Sequence, residues 1–84
     1  MAYTVILKRS AETELDRLPA QLHERISQKL LRLEDTPRPQ GVQKLQGQDR
    51  YRIRIGEYRV LYVIDDRAKT VEIVAIGHRR DVYR

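Results

Sequence analysis

The fold is decided by the stretch RYRIRIGEYRVLYVID, residues 50–65. In its first half, arginines alternate strictly with apolar or aromatic residues. In a strand, one face would therefore carry Arg50, Arg52 and Arg54, and the other would carry Tyr51, Ile53 and Ile55. Gly56 and Glu57 form a tight turn, and Tyr58–Ile64 is a second strand. The stretch therefore predicts an antiparallel hairpin with one buried face.

A third strand follows this hairpin. Thr70–Ile76 is rich in β-branched residues, Gly77 is expected to end it, and a basic tail, HRRDVYR, closes the sequence. Short loops join the three strands, so we expect an antiparallel meander.

The segment before the hairpin predicts one strand and two helices. Tyr3–Lys8 is the strand, and Ser10 is placed as the N-cap of a short helix. A longer helix follows, with apolar residues spaced by four, four and three: Leu22, Ile26, Leu30 and Leu33. The prolines and glycine of DTPRPQG, residues 35–41, end it. The prediction is a single α+β domain over residues 1–84, ordered β-α-α-β-β-β, with a helical hairpin packed on one face of a small, mainly antiparallel sheet.

Composition narrows the chemistry. Seventeen Lys and Arg against twelve Asp and Glu give a net charge of +5, which favours polyanionic partners. There are no cysteines and only two histidines, so we expect neither a metal site nor a cofactor. The longest apolar run, Val60–Ile64, is too short to cross a membrane, and MAYTVILKRS lacks a signal region, so we expect a cytoplasmic protein.

The face of the sheet that points away from the helices should carry a basic patch. If Val60 and Tyr62 meet the helices, Arg59 joins Arg52 and Arg54 on the opposite face. The end of the last strand should bring four more residues to this patch: His78, Arg79, Arg80 and Tyr83. Alternating arginines are also typical of an ordinary solvated face. Arg59 favours a functional patch over an ordinary solvated face, because a charge inside the most apolar strand needs a partner or a function.

The two segments YRIRIGEYRVLYVID and VEIVAIGHRRDVY, together with the β-α-α order, resemble the RelE/ParE toxin superfamily, and its RelE branch in particular. The resemblance implies the toxin of a type II toxin–antitoxin system, a metal-independent endoribonuclease that enters the ribosomal A site. There the 2′-OH of one mRNA nucleotide attacks its own 3′ phosphate, which leaves a 2′,3′-cyclic phosphate and a 5′-OH.

The resemblance also implies a role for individual residues. Arg52 and Arg54 fall on the family's basic strand positions, and Arg59 falls on its phosphate-stabilising arginine. Arg79 falls on the arginine thought to protonate the leaving oxygen, and Tyr83 on the tyrosine that stacks on the substrate. The remaining basic residues would then bind ribosomal RNA phosphates: Lys44, Arg50, Arg80 and Arg84.

The sequence departs from the family pattern at the residue that would accept the proton of the 2′-OH. Family members often carry Lys at the two strand positions, and neighbouring cations can depress a lysine pKa. Arginine hardly loses its proton, so Arg52 is a poor general base. His78 is the nearby group that ordinarily titrates close to neutrality. The base is therefore Arg52, His78, or no protein group at all, if the ribosome orients the 2′-OH.

The expected partners are the ribosome with its mRNA and a RelB-like antitoxin, and the toxin–antitoxin complex is expected on operator DNA. The antitoxin would bind as a helix in a groove or as an added strand. Two alternatives use the same fold and basic face. One is a ParE-like toxin that inhibits DNA gyrase, and the other is a non-catalytic RNA-binding domain.

Overall fold

A computed structural model describes residues 2–45 and 50–78. The elements in chain order are β1 (Thr4–Leu7), α1 (Arg9–Asp16), α2 (Ala20–Arg32), β2 (Gln43–Lys44), β3 (Arg50–Ile55), β4 (Tyr58–Asp65) and β5 (Thr70–His78). The strands form one five-stranded sheet in the order β1-β5-β4-β3-β2. β1 runs parallel to β5, and the other pairs are antiparallel. The predicted α+β architecture, two helices on a mainly antiparallel sheet, is confirmed.

The core lies between the two helices and one face of the sheet. Helix α2 contributes Ile26 and Leu30, which are the inward positions of the predicted apolar stripe. Burial of each aliphatic side chain of this size stabilises the fold by roughly 1.5–3 kcal/mol. Strand β3 buries its three predicted residues: Tyr51, Ile53 and Ile55. Within the described ranges, neither helix is long and apolar enough to cross a membrane.

A β-bulge changes the alternation in β5. Ile73 and Ile76 are both buried although they are three residues apart, which regular alternation forbids. The register explains this, because the pairing shifts between Leu61 and Tyr62 and leaves Val74 as an extra residue in β5. Every residue after the bulge therefore faces the opposite side from the one that simple alternation predicts.

Two strand predictions need correction. The segment before β3 contributes a fifth strand, β2, whose two residues lie opposite Arg52 and Tyr51. Two residues are too few for a pattern to show, and their pairing with β3 defines them. Gly77 does not end the last strand, because it lies within β5 opposite Arg59. A glycine keeps both backbone hydrogen-bonding groups and can remain in the ladder.

The start of α1 also differs from the prediction. Ser10 lies inside the helix, and the N-cap is Lys8, which makes no side-chain capping bond. The Lys8 amide still donates to the Ile73 carbonyl at 2.9 Å, so the helix begins as soon as the pairing of β1 with β5 ends. Further along α1, a Glu14 carboxylate oxygen accepts a 3.0 Å hydrogen bond from the Ile76 amide. This bond joins α1 to β5 beyond the bulge.

Candidate nucleic-acid interface

Three arginines gather on the face of the sheet that points away from the helices. Arg54 and Arg59 are direct neighbours across the β3–β4 hairpin, and Arg52 lies two residues before Arg54 on the same face. Gln43 of β2 lies opposite Arg52 and extends the row toward the edge of the sheet. These side chains, with Gly41, line a pocket of about 130 Å³ that we call the arginine pocket. None of the described residues in its lining carries a carboxylate.

Arg59 is the most enclosed of the three. It is half-buried, its Nε atom is buried, and it precedes the fully buried Val60 in β4. Gly77 lies opposite it on β5, so no side chain from that strand crowds the guanidinium. Leu61, on the same face, is only 6 % exposed and forms an apolar neighbour. Arginine keeps its charge in such surroundings because a guanidinium group hardly loses its proton in proteins.

Arg54 is exposed, and a hydrogen bond to the adjacent turn sets the direction of its side chain. Its Nε donates to the Gly56 carbonyl at 3.3 Å, which turns the side chain toward the β3–β4 turn. The Gly56 φ of +60° gives the tight turn that returns the chain into β4. The hairpin therefore places Arg54 at the outer end of the arginine pocket, beside Arg59.

The pocket has the electrostatics of an anion site. Three guanidinium groups line one small volume, and their positive charges attract an anion. Guanidinium groups match the planar pairs of oxygens that phosphate presents, and each can donate two parallel hydrogen bonds. The volume is several times the roughly 30 Å³ that a water molecule occupies in the liquid. A phosphodiester group therefore suits this pocket in size and in charge.

The remaining wall of the pocket comes from the loop between α2 and β2. Gly41 in this loop has φ of +90°, a backbone conformation that favours glycine. The loop is fixed by side chains from other elements. The Tyr62 hydroxyl donates to the Pro37 carbonyl at 2.9 Å, and Arg38 Nε donates to the Tyr51 hydroxyl at 3.1 Å. These bonds hold the loop that carries Gly41 against the sheet.

Arg38 also binds the turn between β4 and β5. One of its terminal nitrogens lies 2.9 Å from a carboxylate oxygen of Asp66, and the Tyr3 hydroxyl donates to the same carboxylate at 2.6 Å. The Arg38 hydrogen bond, and then that of Tyr3, hold the pKa of Asp66 below its usual value. Sequence analysis missed this cluster. Its members are 28 and 63 residues apart along the chain, and none belongs to a motif.

Comparison with known proteins shows which protein family this chain belongs to. Residues 5–83 match the family described as the ParE toxin of the type II toxin-antitoxin system, parDE. Because this match covers nearly the whole sequence, it decides the family. The chain belongs to the RelE/ParE toxin superfamily. The predicted membership is confirmed.

Solved structures of RelE toxins share the fold. The archaeal RelE–RelB complex from Pyrococcus horikoshii has a TM-score of 0.86 and 31% identity, over 98% of this chain and 100% of that one. The RelBE2 toxin–antitoxin complex from Mycobacterium tuberculosis has a TM-score of 0.82 and 29% identity, over 94% and 100%. The intact E. coli RelBE complex has a TM-score of 0.80 and 28% identity, over 92% and 96%.

A curated relative matches a shorter segment. The toxin RelG of Mycobacterium tuberculosis is 55% identical over 31 residues, which span 37% of this chain and 36% of RelG. This chain therefore matches about a third of the length of that relative.

The structure brings together part of the set of site residues predicted for a RelE/ParE toxin. Arg52, Arg54 and Arg59 line one pocket, as the alternation predicts. Arg50 is exposed and lies opposite Val63 on the same face, so it extends the arginine row. The other predicted residues of the C-terminal segment lie outside the described residues: Arg79, Arg80, Tyr83 and Arg84.

His78 does not join the arginine face. It lies opposite Tyr58 in the β4–β5 pairing and contacts that ring edge-to-face, with 5.7 Å between the ring centroids. Gly77, its neighbour, is the residue opposite Arg59, so His78 points to the helix side of the sheet. The bulge at Val74 causes this, because uninterrupted alternation would have put His78 on the arginine side.

Lys44 is likewise on the helix side. It lies opposite Tyr51 in the β2–β3 pairing, and its Nζ lies 6.0 Å from the centroid of that ring. It therefore contributes positive charge at the edge of the sheet and not to the arginine pocket. Among residues 2–45 and 50–78, no group of three or more histidine or acidic side chains is arranged to hold a metal ion.

Proposed function

We propose that this toxin is a ribosome-dependent endoribonuclease that cuts mRNA in the A site, and that the arginine pocket binds the scissile phosphate. The observation that carries the proposal is the arrangement of Arg52, Arg54 and Arg59 around one small pocket. Phosphodiester cleavage develops negative charge on the phosphoryl oxygens. Cationic donors that are already in position stabilise this charge without reorganising during the reaction.

The proposed reaction is an internal transesterification. The 2′ oxygen loses its proton to solvent water and forms a bond to the adjacent phosphorus, while the bond from phosphorus to the 5′ oxygen of the next nucleotide breaks. The products are a 2′,3′-cyclic phosphate and a 5′-OH. Arg54 and Arg59 would stabilise the pentacoordinate phosphorus. From the resemblance, Arg79 would return a proton to the leaving oxygen, and Tyr83 would stack on an unpaired base, which is worth about 1–3 kcal/mol.

The geometry favours a mechanism in which His78 is not the proton acceptor. His78 is on the helix side of the sheet, and Arg52 remains protonated at neutral pH. The proposal therefore assigns alignment of the 2′-OH to the ribosome. Alignment of reacting groups alone can supply several orders of magnitude in rate. Free RNA should accordingly be a poor substrate.

An antitoxin and the ribosome are the proposed macromolecular partners. The related structures named above are complexes with RelB-type antitoxins, and we extend this partnership to the present chain. The proposal includes action in the cytoplasm, where ribosomes are found, and assembly of the toxin–antitoxin complex on operator DNA. Lys44, Arg50, Arg80 and Arg84 would bind ribosomal RNA phosphates, so binding should weaken steeply as salt increases.

A second candidate function is inhibition of DNA gyrase, because the matching family is described by its ParE toxin. The arginine pocket favours the nuclease, since inhibition by binding does not need donors gathered around one phosphate. The solved relatives named above are RelE proteins, which also favours the nuclease.

Primer extension on a defined mRNA in a purified translation system tests the proposal. The wild type should cut only when ribosomes are present, and Arg59→Ala should lose the cuts. Arg67→Ala removes an exposed arginine of the β4–β5 turn and should cut as the wild type does. Absence of cuts, with inhibition of supercoiling by purified gyrase, would replace the nuclease with the gyrase inhibitor.

A further inference from the structure

A second cleft adjoins the arginine pocket. It has a volume of about 550 Å³, and it shares Gly41 and Arg54 with the arginine pocket. It lies where β3 extends past the start of β2, and Lys29 of helix α2 lines it as well. We call it the α2 cleft, and its further lining residues are Lys29, Gln40, Ile53, Gly56 and Glu57.

The lining of the α2 cleft differs in kind from that of the arginine pocket. Ile53, which is 8 % exposed, supplies a small apolar surface, and Gln40 supplies an amide with two donors and an acceptor. Lys29 adds a cation from α2, and Glu57 adds a carboxylate from the turn. An apolar surface with neutral and charged hydrogen-bonding groups suits a flat group with a polar edge. An unpaired nucleobase is such a group, and proteins recognise single-stranded RNA by stacking bases and hydrogen bonding their edges.

Contacts around the β3–β4 turn fix the walls of this cleft. A guanidinium nitrogen of Arg25, on α2, lies 3.4 Å from the position that a Cβ on Gly56 would take. The Arg25 side chain of α2 therefore reaches the turn. Arg54, whose Nε donates to the Gly56 carbonyl, stands at the boundary between the cleft and the arginine pocket. A phosphate in the arginine pocket and the base of an adjoining nucleotide in the α2 cleft would thus lie on opposite sides of the Arg54 side chain.

We infer that the α2 cleft binds the base of a nucleotide next to the scissile phosphate, and that Gln40 and Lys29 read its edge and set the preference for the cleavage site. This inference rests on the proposed nuclease function and names the substrate contact of the same site. An antitoxin segment is the competing occupant. The wall shared with a pocket suited to phosphate favours RNA, because a nucleotide carries a base next to its phosphate.

The test is the preference for bases around the cut. Ribosome-bound mRNAs carry each of the four bases in turn at the nucleotides on either side of one cleavage site, and the rate of cutting is measured for each. The wild type should prefer some bases at one of these nucleotides. Gln40→Ala and Lys29→Ala should each reduce that preference by about tenfold, the scale of one good hydrogen-bonded base contact. Matched controls on α2, Gln28→Ala and Arg32→Ala, remove exposed side chains outside the cleft and should keep the wild-type preference.

Three results would overturn the inference. An unchanged preference in Gln40→Ala and Lys29→Ala would remove the cleft from base recognition while leaving the nuclease function in place. An unchanged preference with at least tenfold weaker antitoxin binding would assign the cleft to the antitoxin. A wild type that cuts no mRNA on ribosomes would refute the nuclease function, and the inference with it. Gln40 and Lys29 are both exposed, so their alanine variants should fold. Unfolding midpoints close to that of the wild type would confirm this.

Discussion

Arg54 and Arg59 lie directly opposite each other in the β3–β4 hairpin, and both side chains line the same pocket. Guanidinium groups donate parallel hydrogen bonds to phosphate oxygens, so two of them on neighbouring strands can bind one anion in this pocket. The pairing depends on the Gly56–Glu57 turn, because a change of one residue in its length would move Arg59 to the other face.

Replacing Arg59 should separate activity from stability. Arg59→Ala removes a donor to the developing charge, and the single-turnover rate of mRNA cleavage on ribosomes should fall by about 10²–10³-fold. Thermal unfolding of the variant should show it folded at the assay temperature, so that the loss of rate reports on catalysis. Arg67→Ala provides the control for loss of one positive charge. A loss of cleavage of less than tenfold in Arg59→Ala would contradict the role given to this residue.

Arg59→Lys distinguishes a nuclease from a binding module that needs only charge. Lysine retains the charge but not the planar pair of donors that a guanidinium offers to phosphate. The cleavage rate should fall at least tenfold, while binding to ribosomes at a fixed salt concentration should change less than threefold. Equal cleavage by Arg59→Lys and the wild type would favour the non-catalytic alternative.

His78 should contribute little to the chemistry. Its ring packs against Tyr58 on the helix side of the sheet, away from Arg59. His78→Phe keeps an aromatic ring for this packing and removes the titrating group. The cleavage rate should remain within about threefold of the wild type from pH 6 to 8, and the shape of the pH–rate profile should be the same. A pH–rate profile that changes shape in the variant would restore His78 as a proton-transfer group.

The Arg38–Asp66 pair should make stability depend on pH in the acid range. The pKa of Asp66 is lowered in the folded protein, so its stabilising contribution is complete above the unfolded pKa of about 4. The contribution is lost as pH falls below that value. Asp66→Asn should therefore unfold at a lower temperature than the wild type at pH 7, and the difference should narrow below pH 4. Thermal unfolding of both proteins at pH 7, 5 and 3 measures this, and a difference that stayed constant would contradict it.

Tyr62 should stabilise the loop that forms a wall of the arginine pocket. Tyr62→Phe removes the hydrogen bond to the Pro37 carbonyl and should lower the free energy of unfolding by about 1 kcal/mol. Burial raises the pKa of Tyr62, so its contribution is complete below the unfolded pKa of about 10 and is lost as pH rises above it. The wild type should therefore lose more stability than Tyr62→Phe between pH 9 and 11. Urea unfolding at these pH values checks both effects, and parallel losses would refute the second.

Local patterns account for much of what the sequence could predict. The alternation of β3 depends only on which residues are apolar, and it correctly places Arg52 and Arg54 away from the core. The helical stripe of α2 follows from the same principle, since Ile26 and Leu30 are buried as their spacing requires. Both patterns extend over enough residues to be unambiguous.

The features that were not predicted depend on contacts between distant segments. The bulge at Val74 changes which side of the sheet His78 faces, and no residue type in the sequence indicates the bulge. Strand β2 is two residues long and exists only through its pairing with β3. Arg38 finds Asp66 only after the whole sheet has formed. Each of these features follows from tertiary pairing, which sequence periodicity does not contain.

Cleavage of an mRNA with one modified sugar would test the central claim most directly. A ribosome-bound mRNA is prepared with either a ribonucleotide or a 2′-deoxyribonucleotide on the 5′ side of the scissile phosphate, and the 3′ end of the upstream fragment is identified by mass spectrometry. The account predicts that the ribonucleotide substrate yields a 2′,3′-cyclic phosphate and that the 2′-deoxy substrate is not cut. Equal cutting of both substrates would contradict attack by the 2′-OH on a phosphate held by Arg52, Arg54 and Arg59.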